Sequence, residues 1–200
     1  MAERPAEVDR AGARPLTDPR EIRAIAHPVR LALLEALSRE GPLTATQAAE
    51  IVDESPANCS FHFRTLAKYG FVEEVPGGTG RARPWRRIAL GQSIDLGEPG
   101  EVTIAGQTFA HLAQERTFDR VRHYIDTLPS YPKEWQQGSF ITDWLIYVTA
   151  DELAEIGEAV MEQLSRYRER TGDLSLRPEG SRPVQVAAFG FPLPPTASGN

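Results

Sequence analysis

A chain of 200 residues that is 40 % apolar and 25 % charged can build one medium domain or two small ones, which excludes a wholly disordered protein. A single cysteine excludes a disulfide framework, and no apolar run is long enough to span a bilayer or to act as a signal core near Met1. A cytoplasmic protein with no membrane partner is therefore expected. The net charge of −6 is unevenly spread, and its distribution matters more than its sum.

Residues 1–17 contain Pro5, Gly12 and Pro15 among balanced charges with no apolar period, and read as a flexible tail. Asp18-Pro19, with Glu21 three residues after the cap, signals a helix start. His27-Pro28 ends or kinks that helix, and Val29, Leu33, Leu34 and Leu37 then recur at helical spacing up to Gly41-Pro42. Thr44 and Gln47 form a capping box ahead of a helix of about two turns. Asp53-Glu54-Ser55-Pro56 turns the chain into the next helix, with Ser55 as cap. Two short helices joined so tightly are the signature of a helix-turn-helix.

In the second of these helices Cys59, Phe63 and Leu66 fall on one stripe and should be core. Ala57, Phe61, Arg64 and Lys68 point the other way, flanked by Asn58, Ser60 and Thr65. Such side chains suit base edges: Asn bonds adenine, Arg bonds guanine or phosphate, Ser and Thr bond either, and Phe meets a thymine methyl. An ordinary amphipathic surface helix would tolerate one exposed Phe as well. Gly70 ends the helix, Phe71–Val75 has strand character, and Pro76-Gly77-Gly78-Thr79-Gly80 leads to Arg81, Arg83, Arg86 and Arg87, a hairpin with a basic tip. Residues 55–91 hold six Lys or Arg against two acids, a local balance of +4. The candidate contact set is Ser55, Asn58, Ser60, Phe61, His62, Arg64, Thr65, Lys68, Arg81, Arg83, Arg86 and Arg87.

The run Ser60-x-His62-Phe63-x-x-Leu66-x-x-x-Gly70-Phe71-Val72, preceded by Ala26-His27-Pro28-Val29-Arg30-Leu31 and followed by the Arg-rich wing, resembles the ArsR-type winged helix-turn-helix regulators of bacteria. The resemblance covers about seventy residues and implies a homodimer on an operator of two-fold character, with the 56–69 helix in the major groove. It also implies contact roles for Asn58, Ser60, Phe61 and Arg64, with His62 beside a phosphate or packed against the preceding helix. The metal sensing of that family does not carry over. Its paired cysteines would stand where this chain has residues 44–50, and Cys59 alone cannot build a thiolate cluster. His111, Asp119, His123 and Asp126 loosely resemble its nitrogen and oxygen sites, yet read more simply as a solvated helix face, so no metal and no cofactor are expected. Gly77-Gly78-Thr79-Gly80 lacks the Lys and helix of a phosphate loop, and no nucleophile motif is present, so no enzyme is expected.

Beyond Leu90 the balance reverses: residues 92–200 carry 9 basic and 16 acidic residues. The expected organisation is a tail over 1–17, a winged helix-turn-helix over 18–91, and a dimerisation and effector domain over 92–200. In that last part, Val102-Thr103-Ile104 reads as a brief strand and 107–128 as a helix buried through Phe118, Val121, Ile125 and Leu128. Residues 141–148 read as a strand, Thr149 to Glu152 as a capping box, and Leu153, Ile156, Val160, Leu164 and Tyr167 as a helical stripe. Residues 183–192 read as a second strand, pairing antiparallel with the first. The fold class expected is α+β, a helix-rich C-terminal module with a small antiparallel sheet following the winged helix-turn-helix. Tyr131, Trp135, Phe140, Trp144 and Tyr147 read either as core or as the lining of a small-molecule effector pocket. The functional expectation is a regulator of transcription binding double-stranded DNA as a homodimer, more readily a repressor. A winged helix used only for protein docking is the alternative, favoured by the acidic overall balance.

Overall fold

Each helix start marked by a cap is realised. Asp18 accepts from the Arg20 amide at 2.8 Å, the His27 Nδ1 from the Val29 amide at 3.2 Å, and Ser55 from the Asn58 amide at 3.1 Å. Thr44 with Gln47, and Thr149 with Glu152, close reciprocal capping boxes. Glu21 does not complete such a box, because its carboxylate pairs with Arg14 at 2.6 Å. The computed structural model describes residues 13–77, 83–88, 91–94 and 99–194.

Strand β1 (Arg14–Pro15) leads to helices α1 (Pro19–Ile25), α2 (Pro28–Glu40), α3 (Ala45–Val52) and α4 (Pro56–Lys68). Strands β2 (Val72–Glu74) and β3 (Trp85–Arg87) form the wing, and β4 (Gln92–Ser93) pairs parallel with β1. The wing pairs antiparallel in the register Val72 with Arg87, Glu73 with Arg86 and Glu74 with Trp85. Trp85 also exchanges backbone hydrogen bonds with Leu43, which ties the wing to the start of α3.

The core lies among α1, α2, α4 and the wing. Cys59, Phe63 and Leu66, the inner stripe of α4, are fully buried with Ile22, Ile25, Leu33 and Phe71, and Phe63 stacks on Trp85 at 5.5 Å. Removing one of the large side chains, as in Phe63→Ala, would cost about 3–5 kcal/mol. Residues 13–17, expected as part of a flexible tail, are folded into this core. Leu16 is buried, and Arg14 donates to the Tyr69 carbonyl at 2.9 Å. Residues 1–12 of that expected tail lie outside the described residues.

Helix α5 (Glu101–Thr127) begins earlier than expected, and Val102-Thr103-Ile104 is its first turn rather than a strand. Val102 packs on the core beside buried Ala105, and this tertiary burial overrides the β preference of the run. After it come α6 (Lys133–Gly138), α7 (Ala150–Ser165) and α8 (Glu169–Gly172). The fold is α+β, with the N-terminal helix-turn-helix, a small antiparallel sheet and a helical C-terminal region. That sheet, however, is the wing. The strands expected over 141–148 and 183–192 are not formed, and those segments run without ladder hydrogen bonds. A strand exists only where a second one pairs with it, which an apolar run cannot reveal. The buried stripe expected on α5 is likewise open: Phe118 and Ile125 are exposed and Val121 and Leu128 only half-buried.

Candidate nucleic-acid interface

The geometry of the helix pair is set at Asp53, which caps α3 in the left-handed conformation at φ 55°. Asp reaches that region more cheaply than most residues because its short side chain can bond locally. Two residues later Ser55 and Pro56 start α4, so three residues turn the chain between two helices. The outer face of α4 then stands clear of the core.

On that face Phe61 is 60 % exposed, and Ala57, Arg64 and Lys68 are exposed with it. Asn58, Ser60 and Thr65 are half-buried at its edges. The polar side chains are held in place by local bonds. Arg64 Nη2 donates to Ser60 Oγ at 3.0 Å, Asn58 Nδ2 to Glu54 Oε2 at 2.8 Å, and Thr65 Oγ1 to the Phe61 carbonyl at 3.1 Å. The Lys68 ammonium lies 5.5 Å from the centre of the Tyr69 ring. These bonds orient the face; those of Arg64 and Thr65 are exposed and that of Asn58 part-buried.

Two residues of the expected set turn inward. His62 is only 6 % exposed, its ring 4.7 Å from that of His27, and its Nδ1 has no hydrogen-bond partner. It sits one position from the core stripe, and the approach of α2's first turn closes over it. Burial first, then the nearby His27 and Arg30, hold its pKa below the ordinary 6.5. Arg87 lies on the inner side of β3, where it donates to Ser38 Oγ at 2.8 Å and to Gln92 Oε1 at 3.4 Å. Burial lowers its pKa to about 10, still well above neutrality, so it remains a cation. The alternation of a strand accounts for this: with Arg86 outward, Arg87 must face in.

Of the remaining wing arginines, Arg81 lies outside the described residues. Arg83 is 3.7 Å from Glu74, and Arg86 donates through Nε to Glu73 at 3.2 Å. The basic tip is thus partly neutralised by its own strand.

A second basic feature was invisible in the sequence. Arg20, Arg23, Ala24, Arg30, Thr65 and Tyr69 line an open cleft of about 280 Å³ between α1, the start of α2 and the last turns of α4. Arg20 is held by Asp18 and Arg23 by Glu101 at 3.2 Å. Arg30 has no carboxylate partner among the described residues: its Nε is buried without an acceptor and its Nη2 donates to the Arg23 carbonyl at 3.5 Å. With Arg20 and Arg23 each paired to a carboxylate, Arg30 is the guanidinium of the cleft that an anion such as phosphate could pair with. The only trace in the sequence is three arginines spaced over two helices, which gives no hint that they converge.

Two other groups weighed in the sequence can be placed. Among the described residues no three His, Cys, Asp or Glu side chains come together, and Asp119 is paired with Arg122. Of the aromatic group, Tyr131 and Trp135 are half-buried while Phe140, Trp144 and Tyr147 are exposed, so the five line no common cavity. No helix among the described residues is long and apolar enough to cross a membrane.

Residues 25–75 match the family model of the helix-turn-helix domain. The matched span runs from the end of α1 to the strand that follows α4 and contains the whole outer face of that helix. The chain therefore carries a domain of the class that binds DNA, joined to a helical C-terminal region outside the match. No curated protein matches the chain.

Proposed function

We propose that the protein is a sequence-specific, DNA-binding regulator of transcription that acts as a homodimer, with repression by occupancy of its operator as the mode. The observation that carries this reading is the outer face of α4. Phe61 and Arg64 stand exposed on a helix whose start is fixed by Asp53, Ser55 and Pro56. In the proposed complex α4 enters the major groove, where Arg64, Asn58 and Ser60 meet base edges and Phe61 a thymine methyl. The cleft of Arg20, Arg23 and Arg30 takes a backbone phosphate on one flank, and Arg83 and Arg86 of the wing lie on the other. His62 and Arg87 support the interface from within. The Ala26–Leu31 and Ser60–Val72 motifs favour the ArsR type.

In this reading residues 92–200 dimerise and carry any control by a non-metal effector. Ties to α2 would transmit such control: Arg116 and Arg120 pair with Glu35, and Arg177 donates to the carbonyls of Arg39 and Ser38 at the end of α2.

The test is capture of genomic fragments on the purified full chain, with the retained DNA sequenced at low and high salt. A few sites sharing a two-fold symmetric motif, lost progressively with salt, is the expected result. The pairing of Arg83 and Arg86 with wing acids favours one second reading, a docking module for protein. Retention that is absent at every salt concentration would select it.

A further inference from the structure

The C-terminal region lacks a core of its own. Every residue from 137 to 152 and from 178 to 194 is exposed, including Trp144 at 79 % and Tyr147 at 98 %. Helix α7 buries none of its residues, although Leu153, Ile156, Val160 and Leu164 form a continuous apolar stripe. Among the described residues, no backbone amide of 140–148 or 184–191 donates to another backbone group. An extended apolar run with a free row of N–H and C=O groups is a template for pairing with another chain.

The two segments differ in how they are held. Residues 184–191 lie along their own chain: Phe189 meets Phe118 of α5 at 6.2 Å, and Gln185 accepts from Arg120 at 2.9 Å. Gly190 packs close to α7, where an added Cβ would stand 3.0 Å from Leu153 Cδ1. Among the described residues, no ring contact or side-chain hydrogen bond ties 140–148 to another element; Trp144 donates to Thr142 within the segment. At strand spacing its side chains are mostly apolar on both faces: Phe140, Trp144, Ile146 and Val148 with Thr142 on one, Ile141, Leu145 and Tyr147 with Asp143 on the other. A strand of this kind is stable only inside a sheet covered on both sides.

We propose that residues 140–148 of one copy add as a strand to residues 184–191 of a second copy, and reciprocally, so that each half of the C-terminal module is completed by exchange. This deepens the homodimer of the proposed function and rests on it. Three observations select a second copy as the occupant. The segments match in length, nine residues against eight. A segment this apolar needs cover whenever the chain is present, which a second copy supplies at all times, and a two-fold axis satisfies both segments at once. The surface also fits: among the described residues Phe140, Trp144, Tyr147, Phe189 and Phe191 stand 56–98 % exposed, and aromatic side chains bury roughly 150–250 Å² each. Covering those five in each of two copies removes on the order of 1,100–1,900 Å², the size of a standard stable interface.

The test combines sedimentation mass with hydrogen exchange on the full chain over a dilution series. The expected result is a dimer in which the amides of 140–148 and 184–191 exchange at least ~100-fold slower than in a free peptide, and lose that protection as the dimer dissociates. Protection that persists in a monomer would mean closure within one chain and would overturn the proposal. A dimer whose 140–148 amides exchange at free-peptide rates would overturn it too, while leaving the DNA-binding reading intact. Conversely, a protected dimer that retains no DNA would sink that reading and not this one. As a second check, Leu145→Pro removes an amide from the middle of the segment and is expected to give a monomer in which α4 amides stay protected. A dimer of undiminished stability from that variant would count against strand exchange.

Discussion

Arg64 and Arg30 carry the same charge to two different places. Arg64 stands on the exposed face of α4 bonded only to Ser60, whereas Arg30 lies in the cleft with a buried Nε that has no acceptor. Arg64→Ala is therefore expected to change which sequences are preferred, at about 1–3 kcal/mol for the base concerned. Arg30→Gln is expected to weaken binding equally across sequences and to lower the salt slope by about one. Titrations of a specific and a scrambled duplex at several salt concentrations separate the two. An identical, sequence-independent loss from both variants would show that neither residue reads bases.

His62 has a different consequence at the same scale. It and His27 have folded pKa values held below the ordinary 6.5, both chiefly by burial, with Arg30 adding to both and Glu54 opposing it. The unfolded chain therefore takes up protons that the folded one resists. The stability contributed is fully present above about pH 6.5 and is lost as pH falls from there towards the depressed folded values. Thermal unfolding between about pH 7.5 and pH 5 should show Tm declining over that window, with a shallower decline for His62→Leu. An unchanged slope in the variant would place the acid sensitivity elsewhere.

At the scale of elements, the turn between α3 and α4 rests on Asp53. A β-branched residue is strongly disfavoured at its φ of 55°, so Asp53→Val should lose about 1–2 kcal/mol in denaturant unfolding, while Asp53→Gly should stay within a few tenths. Equal effects would show that the turn relaxes to another shape. Elements such as this one were legible in advance because their signals are local. A cap and a proline mark Asp18-Pro19 and Ser55-Pro56 without reference to the rest of the chain, and the stripe of Cys59, Phe63 and Leu66 follows from helical period alone. What was not legible depends on distant partners. Arg87 turns inward because the β3 register covers it, the choice for His62 between a phosphate and packing falls to the start of α2, and the arginine cleft needs α1, α2 and α4 to converge. Residues 141–148 have strand composition but no strand to pair with inside one chain.

For the whole molecule, the question is where the DNA-binding unit ends. Composition puts a boundary near residue 91, where the charge balance changes sign. The packing argues for a later one. Ala105 is buried, Val102 and Phe109 pack against the same core, and Arg116 and Arg120 reach Glu35 on α2. Helix α5 thus covers α1 and braces α2, and a chain cut before it would expose that surface. Burial of Ala105 with parts of Val102 and Phe109 is worth on the order of 2–4 kcal/mol, using the usual value for apolar side chains removed from water. We expect a fragment ending at Ile94 to unfold at a clearly lower temperature than one ending at Thr127, by roughly 10 °C or more for a domain of this size. Both fragments should lose the exchanged strands and be weaker dimers than the full chain, so the comparison isolates α5. Coincident melting of the two would mean that α5 leans on the domain without stabilising it, and that residue 91 is the functional boundary after all.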